Sequence, residues 1–172
     1  VPAPASSVAD IVPRSSQPCD YETVLTEEQL ASWLRRLESA TLVALDTETT
    51  SLDPARARLV GISFSVAANC AAYVPVGHCY AGAPEQLSVD TVLGMLKPWL
   101  EDPGRAKVGQ NFKYDMHVFA NHGIALAGVR HDTLLQSYVL ESHRPHDMDN
   151  LAERHLSIKT ITYDDITGKG AG

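Results

Sequence analysis

Positive charge is scarce in this chain. Its 172 residues hold 14 Lys and Arg against 21 Asp and Glu, a formal charge of −7. That balance excludes a protein that grips nucleic acid through one broad basic surface. Cysteine is scarce as well: Cys19, Cys70 and Cys79 are odd in number and lack CxxC spacing, which points to a reducing compartment. No apolar run approaches the roughly 20 residues that span a bilayer, and no basic-then-apolar signal segment opens the chain. There is no GxSxG elbow and no GxxxxGK[ST] phosphate loop, so a serine nucleophile or a P-loop ATPase is disfavoured. The seven histidines (His78, His117, His122, His131, His143, His146 and His155) form no HxH or HExxH pattern, and Cys70 and Cys79 lack an evident base partner. What is present, 44% hydrophobic and 20% charged residues, describes one cytoplasmic globular domain with no membrane partner.

The first 20 residues are rich in Pro, Ala and Ser without periodicity and read as a linker or tail, leaving 21–172 as the folded domain. Thr26-Glu27-Glu28 is a capping signal ahead of Leu30, Trp33, Leu34 and Leu37 at helical spacing. The run TLVALD (41–46) reads as a strand buried on both faces. RLVGISFSV (58–66) and CAAYVPV (70–76) read as a hairpin, and Ser88–Leu100 as a helix stopped by Pro103-Gly104. A short strand at 106–110 precedes a helix closed by Gly123, then VRHD, a helix over 133–140 and another over 150–156. Strands in a meander followed by strands alternating with helices predict an α/β fold, a mixed β-sheet flanked by helices on both sides.

The chemistry centres on Asp46 and Glu48. On a strand, residues i and i+2 share a face, so both carboxylates project side by side at the end of an apolar run. Paired carboxylates repel, and a divalent cation with oxygen ligands relieves them; a turn-capping Asp46 beside a solvated Glu48 is the plainer alternative. Asp115 lies early in a predicted helix, where an acid is also favourable without any function. Gln110, Asn111, Lys113 and Tyr114 around it supply donors and a ring suited to phosphate and base contacts, or simply cap the helix.

LDTETTSLD, followed 69 positions on from Asp46 to Asp115 by NFKYD, resembles the first two motifs of the DEDD 3′–5′ exonucleases. AAYVPVGH, LKPWLED, KVGQNFKYD, HDMDNLAERHL and KTITYDDITGKG are similar, in that order, to the proofreading exonuclease domain of the bacterial DNA polymerase I family, over residues 21–170. The resemblance implies a ribonuclease H-like fold and two Mg²⁺ or Mn²⁺ ions that cleave the 3′-terminal phosphodiester of single-stranded or frayed DNA, releasing a deoxynucleoside monophosphate. It implies that Asp46 bridges both ions, Glu48 binds the water-activating ion and Asp115 helps hold the second. Thr49 and Leu52 would touch the 3′-terminal nucleotide, Leu52 as an apolar wedge. Gln110, Asn111 and Tyr114 would contact the sugar-phosphate of the last nucleotides, and Tyr163 stands where the family has an aromatic residue near the terminal bases. It also implies a polymerase domain in the same parent chain and a bacterial, nucleoid-associated location; monomer is the default.

The family's third motif is a Tyr followed four residues later by Asp. Here Tyr138 is followed by Ser142 and Tyr163 by Thr167, so the domain is expected to be C-terminally incomplete and weak or inactive alone. The loop HRPH (143–146) is shorter than in the family and altered. Two other readings stand beside this one: an RNA-processing exonuclease of the same superfamily, and a non-catalytic module that binds single strands or positions a polymerase.

Overall fold

A computed structural model of the protein describes residues 19–160. These fall into two units, 19–133 and 134–160. In the first, strand β1 (Asp20–Thr23) leads to helix α1 (Glu27–Ser39), which starts at a full capping box. The Thr26 side chain accepts from the Gln29 backbone while the Gln29 side chain returns to the Thr26 N–H, so Gln29 completes the box that the sequence signalled with Thr26 and two glutamates. Leu30, Trp33 and Leu37 form the buried stripe of α1.

Strands β2 (Val43–Thr49), β3 (Leu59–Ala67) and β4 (Cys70–Pro75) follow, then helix α2 (Val89–Leu100), strand β5 (Lys107–Gly109), helix α3 (Phe112–Asn121) and strand β6 (Val129–Asp132). The six strands form one sheet in the order β1-β4-β3-β2-β5-β6. The pairings β2–β3 and β3–β4 are antiparallel, while β1–β4, β2–β5 and β5–β6 are parallel, so the sheet is mixed as expected. β3 and β4 form the predicted hairpin, with Asn69 at φ 60° in its turn. β1 has no counterpart in the sequence reading, which began the domain without a strand.

One face of the sheet is apolar. Leu45, Phe64 and Ala72 stand in register across β2, β3 and β4, and all are buried. The Trp99 ring of α2 meets Phe64 edge-on at 5.9 Å and donates its indole N–H to Leu37 O at 3.3 Å, locking both helices to this core. The opposite row carries Asp46, Ser63 and Tyr73. β2 is therefore not buried on both faces: Val43, Leu45 and Thr47 are buried, Ala44 and Glu48 are exposed and Asp46 is half-buried. The small Ala44 sustains an apolar run without needing cover, which is how the pattern misled.

Lys107 on β5 is fully buried. Its ammonium lies 4.3 Å from the Trp99 ring centroid and donates to the carbonyls of Trp99 and Arg105, both at 3.0 Å. In the second unit, α4 (Thr133–Leu140) and α5 (Met148–Leu156) are the predicted helices, α5 starting two residues early because Asp147 caps it by accepting from Asn150 N. The buried Ser137 hydroxyl bonds His146 Nδ1 at 2.9 Å, and Arg154 reaches Ser137 Oγ and Pro145 O, both at 3.3 Å. The HRPH loop is thus tied inward through its last two residues. No described helix is long and apolar enough to cross a membrane.

Candidate active site

The site is built where two parallel strands part. β5 pairs with β2 only through Val43–Lys107 and Ala44–Val108, then turns into α3. β2 continues alone along that edge to Thr49, and the gap opens at the carboxyl ends of parallel strands, where α/β sheets form their crevices. Gly109 permits the close turn: a Cβ there would sit 2.9 Å from Leu45 O and 2.7 Å from Phe112 Cζ.

Asp115, in the first turn of α3, takes the place of the absent strand. Its Oδ1 accepts from Thr47 N at 3.1 Å and from Thr47 Oγ1 at 2.5 Å, and the residue is 2% exposed. Burial raises the Asp115 carboxyl above the usual range, against the pull of the Thr47 hydrogen bonds, while the nearby Asp132 charge raises it further. Asp46 is pushed up to about 6, first by burial and then by the charges of Asp115 and Glu48. The charges of Asp115 and Glu48 thus both bear on Asp46 at the end of β2. Asp46 and Glu48 share the open face, whereas Asp115 approaches from the edge. Among the described residues no three His, Cys, Asp or Glu side chains converge in a ligating group.

A bulge between Glu48 and Thr49 bends the end of β2. Opposite Glu48 stands Gly61, where a Cβ would lie 2.0 Å from the Tyr73 hydroxyl; the missing side chain lets the phenol cross the strand. The Tyr73 hydroxyl bonds His78 Nε2 at 2.7 Å and is pushed up to about 12 by burial, then by the Glu48 charge. Gln86 pins His78 by accepting from its N–H at 2.9 Å and donating to its carbonyl at 2.8 Å. Sequence reasoning did not single out Tyr73, and it set His78 aside with the other histidines. The alternation in AAYVP, which puts Tyr73 on the face of Asp46, was the available signal.

The two motif segments are stitched together by hydroxyls. The Tyr114 and Thr49 hydroxyls bond each other and both lie within reach of Ser51 O, to which one of them donates. Leu52, on the loop beyond, is 97% exposed. Gln110 and Asn111 form the turn into α3. Asn111 has φ 60° and ψ 48° with no side-chain cap of its own. Its N–H and that of Phe112 are accepted instead by the two carboxylate oxygens of Asp132, at 3.1 and 2.9 Å. Thr133 Oγ1 donates to Gly109 O at 3.1 Å and bonds Gln110 Oε1. Asp132 and Thr133 were not singled out from the sequence; an acid ending the strand beside β5 was the only hint. Tyr163 lies outside the described residues.

The fold is that of ribonuclease H-like exonucleases. It matches the structure of the POL domain of Pol1 from M. smegmatis in complex with DNA primer-template and dNTP, at TM-score 0.65 and 24% identity over 80% of this chain and 23% of that one. It matches Trypanosoma brucei RNase D in complex with RNA U12 at TM-score 0.66 and 18% identity, over 83% of this chain and 48% of that one. In sequence it is 54% identical over 155 residues to DNA polymerase I of Pseudomonas aeruginosa, covering 88% of this chain and 17% of that protein. DNA polymerase I of Synechocystis is 39% identical, covering 90% of this chain and 16% of that protein. The chain thus spans less than a fifth of the curated relatives it matches. The family model for the 3′–5′ exonuclease matches residues 21–171, and the chain belongs to that 3′–5′ exonuclease family, together with the corresponding segments of DNA polymerase I.

Proposed function

We propose that this chain is the 3′–5′ proofreading exonuclease domain of a parent DNA polymerase I, in which it hydrolyses the 3′-terminal phosphodiester of single-stranded or frayed DNA beside a polymerase domain, and that the chain alone is weak or inactive. The observation that carries the reading is geometric: Asp46 and Glu48 share the open face at the end of β2, and Asp115 is bonded to Thr47 between them, with its charge felt at Asp46. Oxygen-only donors that repel one another suit Mg²⁺ or Mn²⁺. Asp46, Glu48 and Asp115 are the residues that would hold the cations. When bound, such ions supply a hydroxide at neutral pH and offset charge on the leaving oxygen.

The chain's own groups supply position. Thr47 orients Asp115 through two hydrogen bonds. Tyr114 and Thr49 hold the first motif against the second, next to where the terminal sugar would lie. Leu52, almost fully exposed, is free to wedge against the terminal base. Gln110 and Asn111 offer amide donors to phosphate and sugar, and Tyr163 is proposed to lie near the terminal bases. The high identity to DNA polymerase I supports DNA over RNA as substrate, since likeness of fold alone extends to both kinds of nuclease.

The test is calorimetric Mn²⁺ titration of this chain and of Asp46→Ala, with digestion of matched DNA and RNA oligonucleotides labelled at the 5′ end. Binding abolished by the substitution, with 3′ shortening of DNA in the parent protein, supports the proposal. Preference for RNA overturns the substrate. Equal DNA degradation by the parent protein carrying Asp46→Ala overturns the catalytic assignment in favour of a positioning or single-strand-binding module.

A further inference from the structure

We infer that Asp132 and Thr133 are positioning residues that set the frame of α3, and through it the placing of Asp115 against Thr47. The inference rests on the reading of Asp115 as part of the metal site, and adds two residues to the machinery around it. Four contacts converge on the passage from Gly109, the last residue of β5, through the turn Gln110-Asn111 to Phe112, the first residue of α3. The two oxygens of Asp132 accept from Asn111 N and Phe112 N, and the Thr133 hydroxyl shares its one proton between Gly109 O and Gln110 Oε1. Every residue of the passage, 109 to 112, is thus held from the end of β6.

The turn needs outside support. Asn111 sits in the left-handed region, a conformation that L residues adopt at a cost, and it supplies no cap to the helix it precedes. A carboxylate accepting two successive N–H groups at a helix start is both a substitute cap and a favourable charge for the helix dipole. Asp115 lies three residues beyond Phe112, within the same helical turn. A shift of that turn is therefore delivered to the Asp115–Thr47 bonds.

The experiment is NMR of the full chain, wild type against Asp132→Ala and Asp132→Asn, with Mn²⁺ affinity by calorimetry in parallel. The diagnostic signal is the Thr47 amide, which lies 85 positions from Asp132 in sequence and reports the bond to Asp115. The expected result is faster exchange of the Asn111 and Phe112 amides and a shifted Thr47 amide, while β3 and β4 amides keep their shifts. Mn²⁺ affinity should fall about tenfold, as for partners that orient ligands from behind. A Thr47 amide that stays in place in Asp132→Ala overturns the inference, leaving Asp132 a mere helix cap. Complete loss of Mn²⁺ binding with an unmoved Thr47 amide also overturns it, making Asp132 a ligand. If the wild type binds no Mn²⁺, the metal-site reading fails, and the Thr47 amide still decides whether Asp132 positions Asp115. Should Asp132→Ala fail to fold, Thr133→Val, which removes only the hydroxyl, is read by the same Thr47 signal.

Discussion

Thr47 gives both its backbone N–H and its hydroxyl to one oxygen of Asp115, joining the central strand to the first turn of α3 across 68 positions of chain. The strand residue that performs this faces away from Asp46 and Glu48, so the middle position of the segment braces the fold while its flanks stand on the open face. Thr47→Val keeps the shape and removes only the hydroxyl. It should lower stability by about 1–3 kcal/mol, because a buried carboxylate loses a partner. It should also push the Asp115 carboxyl further up, since that bond opposes the rise. Thermal unfolding and the carboxyl ¹³C resonance of Asp115 check the two effects.

Asp46 makes the metal-free protein pH-sensitive. Its carboxyl is raised from 3.8 to about 6 by folding, so the stability it contributes is fully present below about pH 3.8 and is lost as pH rises through 6. Asp46→Asn should therefore be more stable than wild type in EDTA at pH 7.5, by on the order of 2 kcal/mol, with the difference vanishing near pH 3.5. Adding Mn²⁺ at pH 7.5 should raise the melting temperature of wild type and not that of the variant. Equal melting temperatures in EDTA at pH 7.5 would refute the charge strain.

Gly61 is the position where a single methyl group is least tolerable on the open face. A Cβ would overlap the Tyr73 ring, with Cζ at 2.3 Å, so Gly61→Ala must displace the phenol and break its bond to His78. A cost of about 1–3 kcal/mol is expected from this overpacking. Combining it with Tyr73→Ala should cost less than the sum of the two, because the ring that clashes is gone; chemical denaturation of the double-mutant cycle measures the coupling.

Lys107→Met should destabilise the domain by about 2–4 kcal/mol. Methionine fills the space but leaves the carbonyls of Trp99 and Arg105 without their donor at the end of α2. Denaturant unfolding reads this directly, and an unchanged midpoint would mean that the buried ammonium contributes nothing.

Leu52→Ala touches no core and should leave the melting temperature within about 1 °C, in keeping with a near-neutral surface change. Its expected effect is on substrate: a raised KM for a frayed 3′ end in the parent protein, read by gel assay of primer shortening.

Much of this architecture was legible because long periodic segments declare themselves. The stripe Leu30, Trp33, Leu37 and the hairpin 58–76 needed no tertiary information. Asp46 and Glu48 were legible as neighbours because a strand repeats every two residues. Other features depended on partners far away in the chain. β1 is only four residues long and is a strand by virtue of β4 beside it. Lys107 is buried because three carbonyls gather at the end of α2, and no local rule places a lysine in a core. Asp132 looked like an ordinary strand end; its role exists only once β6 lies beside β5.

The order in which the sheet is assembled also governs when the carboxylates can meet. β2 comes early in the chain, yet its parallel neighbour begins at Lys107, and the cap on α3 comes from residue 132. A nascent chain that has folded only through its hairpin holds Asp46 and Glu48 without Asp115. Such non-local closure is slow and cooperative. The three carboxylates consequently share one strand end only while the 107–132 segment is docked, and a domain locally unravelled there keeps Asp46 and Glu48 but loses the third.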